Sequence, residues 1–347
     1  MGKEKRRTTQ QDIARMTGVS QATVSMVLNN RDDGEIRIPQ ETRDRVLAAI
    51  QSTGYVANPI ARSLISQDNR IFGVFTYESV FPSEDLDFYH PFLAGIERRA
   101  EQLGYDLVLF TSSPVVDGGR KIFHAGSRLR LADGCVVLGR RVDRAELARL
   151  VAEGFPFVSV GRRDDVAAGP VAAVGADYVS AVAELVRRTG GLGHRTVAFV
   201  GEGAGPESSA DRWAGFAAGV ADAGVRSVRL RAKGRDAGEV LDSLVEHGAT
   251  AMFVEDPDDT AALVEECGRR GVRIPEDVSL VELGGSPPRT ARATPDFTGF
   301  RIPREEMGAQ AVDLLARILG GDRGPRTRLL PCRIVAGATL AAPRSTP

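Results

Sequence analysis

The chain has 347 residues, 42% of them hydrophobic, with 45 Lys/Arg against 46 Asp/Glu and three cysteines. That length allows two or three folded units, and no run approaches the ~20 apolar residues of a membrane span. Cys135, Cys267 and Cys332 are too dispersed for a disulfide framework, and no apolar run follows the basic N-terminus, so neither a signal peptide nor a membrane role is expected. Charge is unevenly spread: residues 1–65 carry ten Lys/Arg against seven acids, a bias compatible with phosphate contacts.

The first predicted elements lie between Thr9 and Leu64. Gln11-Asp12-Ile13-Ala14-Arg15 opens a short amphipathic helix, and Gly18-Val19-Ser20 makes a corner in which Gly18 takes a positive backbone angle. Gln21 to Leu28 forms a second helix, small and polar on one face and aliphatic on the other. Ile13, Ala14, Val19, Val24 and Val27 can bury between the two, which is the arrangement of a helix-turn-helix. Ser20 is placed to cap the second helix, leaving Gln21, Ala22 and Thr23 pointing outward from its first turn. A third helix starts at Pro39, with Val46, Leu47 and Ile50 at helical spacing, and Gly54-Tyr55 closes it. Asn58-Pro59 then opens a short segment in which Ile60 and Leu64 stand four apart.

From Arg70 the rhythm changes to apolar strands alternating with helices. Strands are expected at Ile71–Phe75, Tyr105–Phe110, Ala132–Leu138 and Phe157–Val160, with helices over Pro91–Leu103 and Arg144–Glu153. A second series follows: helix Tyr178–Thr189, strand Thr196–Val200, helix Asp211–Gly224, strand Ser227–Arg231, helix Gly238–His247, strand Ala251–Val254, helix Asp258–Gly271 and strand Val278–Val281. Continuous aliphatic strands with intervening helices predict parallel sheets covered on both faces, here two doubly wound subdomains with a cleft at their switch points.

Asp12-Ile13-Ala14, Gly18-Val19-Ser20, Thr23-Val24-Ser25, Glu41-Thr42-Arg43, Gly54-Tyr55 and Asn58-Pro59-Ile60-Ala61-Arg62-Ser63-Leu64, in that order and spacing, resemble the LacI/GalR family of bacterial transcription regulators. Gly193-His194-Arg195, Asp211 to Phe216 and Gly271 to Leu280 extend the likeness more loosely through the body. The resemblance implies an N-terminal all-α helix-turn-helix DNA-binding domain plus an α/β periplasmic-binding-protein-like effector domain of two doubly wound parallel-sheet subdomains. It divides the chain into 1–58 (DNA-binding), 59–69 (hinge helix and linker) and 70–347 (effector binding and dimerisation). Subdomain one would cover about 70–175 and 302–326, and subdomain two about 176–301 and 327–347, the stretch Arg328–Val335 returning to the second.

The same resemblance implies a homodimeric, cytoplasmic, nucleoid-associated repressor on a palindromic double-stranded DNA operator, modulated by a small-molecule effector. Gln21 suits an adenine edge and Ala22 a thymine methyl. Thr9, Ser20, Thr23, Ser25 and Asn29 suit phosphates. Met26 stands where many members place a polar reader, and Tyr55, Ala61 and Ile65 complete the expected DNA-contacting set. Leu64 is expected to wedge into the minor groove from a hinge helix too short to be stable alone. Tyr89, Arg162, Ser208, Arg212 and Asp258 are the expected effector residues.

Three departures stand out. The loop Asn30 to Arg37 is longer than usual, Glu282-Leu283-Gly284-Gly285 lacks the acid that often binds a sugar or base, and Pro206 stands where some members carry Arg. A regulator without an effector is therefore an alternative. A solute-binding protein would have no use for residues 9–65. No phosphate loop, nucleophile elbow or zinc-protease motif is present, and Gly201-Glu202-Gly203-Ala204-Gly205 lacks the third glycine of a dinucleotide fingerprint. The four histidines, His90, His124, His194 and His247, have no metal spacing. Neither enzyme activity nor a cofactor or metal is expected.

Overall fold

The computed structural model describes residues 8–28, 38–53, 55, 69–78, 86–116, 118–164, 166–284 and 296–344. The chain separates into two compact units, Met1–Asn69 and Arg70–Pro347.

In the first unit, helices α1 (Gln10–Thr17), α2 (Gln21–Leu28) and α3 (Gln40–Thr53) enclose a small core of Ile13, Ala14, Val24, Val27, Ile38 and Val46. Thr9 caps α1 in a reciprocal box with Asp12, each satisfying a backbone N–H of the other. Gly18 ends α1 at φ 68° and donates its N–H to the Ala14 carbonyl, so the chain turns within a few residues. Val19 is only partly buried at the edge of this core. Leu47, expected on the buried face, is 46% exposed. It follows Val46 by one residue, about 100° around the helix, so both cannot face a core this narrow.

The second unit holds two six-stranded sheets. Spatially the first runs β13 (Thr327–Pro331), β7 (Ala173–Asp177), β6 (Phe157–Val160), β5 (Gly134–Leu138), β1 (Ile71–Thr76), β2 (Asp106–Leu109), all parallel. The second runs β14 (Arg333–Val335), β12 (Thr298–Arg301), β11 (Ser279–Glu282), β10 (Ala251–Val254), β8 (Thr196–Val200), β9 (Arg226–Leu230), and in it only β12–β14 is antiparallel. A small hairpin, β3 (Val115–Val116) with β4 (Gly119–Arg120), was not legible in the sequence. Helices α4 (Leu86–Leu103) and α10 (Arg304–Leu319) cover one face of the first sheet, and α5 (Arg144–Ala152) covers the other. Helices α6 (Tyr178–Gly191) and α7 (Glu207–Ala223) cover one face of the second sheet, and α8 (Ala237–Glu246) and α9 (Pro257–Arg270) the opposite one. β5 and β8 are buried at every position, as strands covered on both sides must be.

Helix α4 starts ahead of the expected Pro91, which instead sits inside it. Between α4 and α10 there is no room for side chains: a Cβ on Gly95 would overlap the Glu305 carbonyl, and one on Gly308 the Phe92 carbonyl. The final stretch corrects the expected boundary at 327. It is two strands, not one, and Thr327–Pro331 pairs with β7 in the first sheet before Arg333–Val335 joins the second. The pattern of two adjoining apolar runs concealed a change of sheet at Cys332. The chain thus passes between the sheets at Asp177–Tyr178, at Ile302–Pro303 and at Cys332. Tyr178, Ile302 and Cys332 each pack against the cores of both sheets.

Candidate nucleic-acid interface and effector cleft

Helix α2 presents its N-terminal turn to solvent. The Ser20 Oγ accepts the Thr23 N–H at 3.1 Å and lies 2.9 Å from the Thr23 hydroxyl, so the helix start is capped. Gln21 and Ala22 are exposed, and the Gln21 amide donates to the Gln10 Oε1 at 3.3 Å, which ties the two helix starts together. Val24 and Val27 anchor the opposite face. Thr9, exposed at the head of α1, spends its hydroxyl on the capping box. Ser25 is half-buried, while Met26 and Tyr55 pack against the core of this unit. Asn29, Ala61, Leu64 and Ile65 lie outside the described residues. Two capped helix starts with exposed short polar side chains form a surface suited to phosphate oxygens and base edges.

In the second unit the strand order reverses between β1 and β5, and again between β8 and β10. Ligands of such sheets sit beyond the carboxyl ends of the strands at these points. Beyond β1 stands Glu78 and beyond β5 stands Arg140. Tyr89 is buried and donates its hydroxyl to Glu78 at 2.5 Å. Burial, then the Glu78 charge, raises the Tyr89 pKa well above its ordinary value, so it remains a neutral donor. The Glu78 carboxylate also accepts the Arg141 N–H at 3.0 Å. Arg212 on α7 is buried, donating to the carbonyls of Leu283 at 2.7 Å and Ser208 at 2.9 Å, with its Cζ 4.1 Å over the Tyr178 ring. Ser208 therefore meets Arg212 through its carbonyl. Asp258, at the exposed start of α9, is not brought to these residues; it lies among Asp256, Asp259 and Glu255. Burial and those acids push Asp259 up to about 6.

One lip of the cleft is fastened by ion pairs between the sheets. Glu207, at the start of α7, accepts from Arg144 at 2.7 Å and from the Asp164 N–H at 3.0 Å, with Arg163 3.6 Å away. Burial alone would raise its pKa, but its own N–H, that of Asp164 and the two guanidinium groups hold it below the ordinary carboxylate range. Arg162, the expected effector residue, pairs with Asp164 on its own loop and with Asp211 of α7 at 2.5 Å. Sequence reasoning missed Arg140, Arg144, Arg163, Glu207 and Arg304. The available signal was their place, directly after a strand or at a helix start, where such sheets gather ligands.

Among the described residues no helix is long and apolar enough to cross a membrane, and no group of three potential ligands is placed to hold a metal ion. Residues 9–58 match the family model for bacterial regulatory proteins of the lacI family, and residues 186–340 match that for a periplasmic binding protein-like domain. The chain is 27% identical over 352 residues to the HTH-type transcriptional regulator AscG of Escherichia coli, covering 97% of this chain and 99% of that one. It is 27% identical over 319 residues to catabolite control protein A of Priestia megaterium, with 89% and 91% covered. The crystal structure of the Lac repressor dimer bound to operator and the anti-inducer ONPF superposes with a TM-score of 0.73 over 97% of this chain and 100% of that one, at 21% identity. At that identity the likeness speaks to the fold.

Proposed function

The chain belongs to the LacI family of bacterial regulatory proteins, and on that footing we propose that it is a homodimeric repressor of a palindromic operator, with affinity set by a small molecule held between its two sheets. It is a DNA-binding transcriptional regulator and not an enzyme. The observation that carries the finer reading is the capped start of α2, with Gln21 and Ala22 exposed on its first turn.

In this reading α2 enters the major groove of cytoplasmic, nucleoid DNA. Gln21 bonds an adenine edge in two places and Ala22 packs on a thymine methyl. The starts of α1 and α2, with Thr9, Ser20, Thr23, Ser25 and Asn29, grip phosphates and fix the register. Met26 and Tyr55 support the reading helix from the core side. Ala61, Leu64 and Ile65 serve the minor groove, with Leu64 as the wedge that bends the site. Effector binding near Tyr89, Arg162, Ser208 and Arg212 alters the angle between the sheets, and the ion pairs of Glu207 and Asp211 give that angle a defined closed state. Asp258 is the outlying member of the proposed effector set, at the exposed start of α9. A differential affinity of ~1–3 kcal/mol is enough for regulation.

Nuclease footprinting across the regions upstream of neighbouring genes tests this. A protected palindrome whose occupancy falls steeply with salt is expected, because phosphate contacts release counterions. No protected palindrome at moderate salt would sink the reading.

A further inference from the structure

Three guanidinium groups gather at the cleft from separate elements: Arg140 after β5, Arg212 on α7 and Arg304 at the start of α10. Arg140 and Arg304 share one aromatic ring, with their Cζ atoms 4.2 Å and 5.4 Å from the Phe88 centroid. Arg212 lies over Tyr178, and Arg304 feels the charges of both Arg212 and Arg140. The described partners of Arg212 and Arg304 are carbonyl oxygens and aromatic faces: Leu283 and Ser208 for the first, Gly284 at 3.2 Å and Phe88 for the second. Carbonyls satisfy N–H groups but do not cancel a net charge. The Arg304 Nε is buried and makes no hydrogen bond among the described residues. Among the described residues acids also stand near, including Asp177, which acts on Cys332 together with Arg212 and Arg304. Glu78 is engaged by the Tyr89 hydroxyl and the Arg141 N–H, and Glu282 is the acid whose charge reaches Arg304. Burial and the neighbouring arginines lower the Arg304 pKa below its ordinary value, against the favourable pull of Tyr178 and Glu282.

We propose that the cleft takes an anion, a small molecule whose carboxylate or phosphate group seats against Arg304, Arg140 and Arg212 beside Phe88. The inference rests on the reading that this cleft binds an effector, and it names the chemical class. A neutral polyol would leave the repulsion between Arg212 and Arg304 in place, whereas an anion offsets it in a partly desolvated setting where charges count most. The Arg304 Nε has no hydrogen-bond partner among the described residues, and guanidinium N–H groups suit a two-oxygen acceptor.

The test is calorimetric titration of the full-length protein with a panel of metabolites that includes citrate as a carboxylate source, glucose 6-phosphate as a phosphate source and glucose as its neutral partner. Saturable binding of at least one anion is expected, with none for glucose, and Arg304→Gln should weaken that anion by about tenfold or more. Which of citrate and glucose 6-phosphate binds tells the two sources apart. Should Arg304→Gln fail to give a normal melting curve, Arg140→Gln replaces it, because Arg140 is exposed. Binding of neutral sugars alone, no saturable binding by any carboxylate or phosphate in the panel, or unchanged anion affinity in the folded variants overturns the proposal. Footprinting on the same preparation separates the two claims. A protected operator with no anion response defeats only the anion, while no operator at all defeats the regulatory reading.

Discussion

In the first unit Gln21 and Ala22 stand exposed on a helix start capped by Ser20, whereas in the second the charged Glu207 and Arg212 are buried and already bonded. The difference follows from what each surface must recognise. A duplex brings its own phosphates and base edges, so the reading surface needs side chains that are positioned and exposed. On the proposed function the second surface closes over a small molecule and excludes water, so its charges need partners from the protein even when empty. Removing a group should therefore cost binding in the head and stability in the body.

The largest effect is expected where the body has no slack. Gly308→Val forces a side chain into the Phe92 carbonyl between α4 and α10 and should destabilise the Arg70–Pro347 unit by about 3 kcal/mol in a urea titration. A normal unfolding midpoint would mean that the two helices can part cheaply. Next comes Glu207→Gln, which keeps the shape but leaves Arg163 and Arg144 facing a neutral amide; a loss of roughly 2 kcal/mol is expected on the same measurement. If stability is untouched, the lip is not held by charge. In the head, Gln21→Ala should leave the melting curve alone and weaken the native operator about tenfold, with discrimination relaxed at one base pair. A gel-shift series over single-base variants reads this directly, and uniform weakening at all positions would reassign Gln21 to phosphate.

The smallest effect is a pH slope in the body. His194 is buried between the Thr250 hydroxyl at 2.7 Å and the Ala341 carbonyl at 2.8 Å, and burial lowers its pKa from the ordinary 6.5. Below pH 6.5 the unfolded chain takes a proton that the folded one refuses. The contribution of the neutral ring is thus intact above that pH, declines as pH falls beneath it, and is gone below the folded-state pKa. His194→Gln should flatten the stability profile in this window, and an unaltered slope would place the titrating group elsewhere.

Much of the head was legible because its signals are local: Thr9 with Asp12, Gly18 at the turn and Ser20 before α2 all act within a few residues. The alternation of strands and helices in the body was legible for the same reason. Contacts between distant residues were not. Glu207 and Arg144 are 63 positions apart, and nothing in either neighbourhood announces the other. Arg140 and Arg304 meet only because the sheet order brings the end of β5 and the start of α10 to one aromatic ring. Leu47 shows the reverse failure, in which an apolar residue at plausible spacing has no core left to enter.

The three crossings at Asp177–Tyr178, Ile302–Pro303 and Cys332 have a mechanical consequence. A single strip of backbone between two rigid bodies is a swivel, free to twist about its own axis. Three strips, each of no more than two residues between flanking elements and each anchored in both cores by Tyr178, Ile302 or Cys332, resist twist and separation together. The motion such a set of strips resists least is rocking, which would open and shut the side where Arg144 pairs with Glu207. On the proposed function, ligand binding at that side would be converted into rotation along one coordinate, much as a door frame turns a push from any direction into a swing.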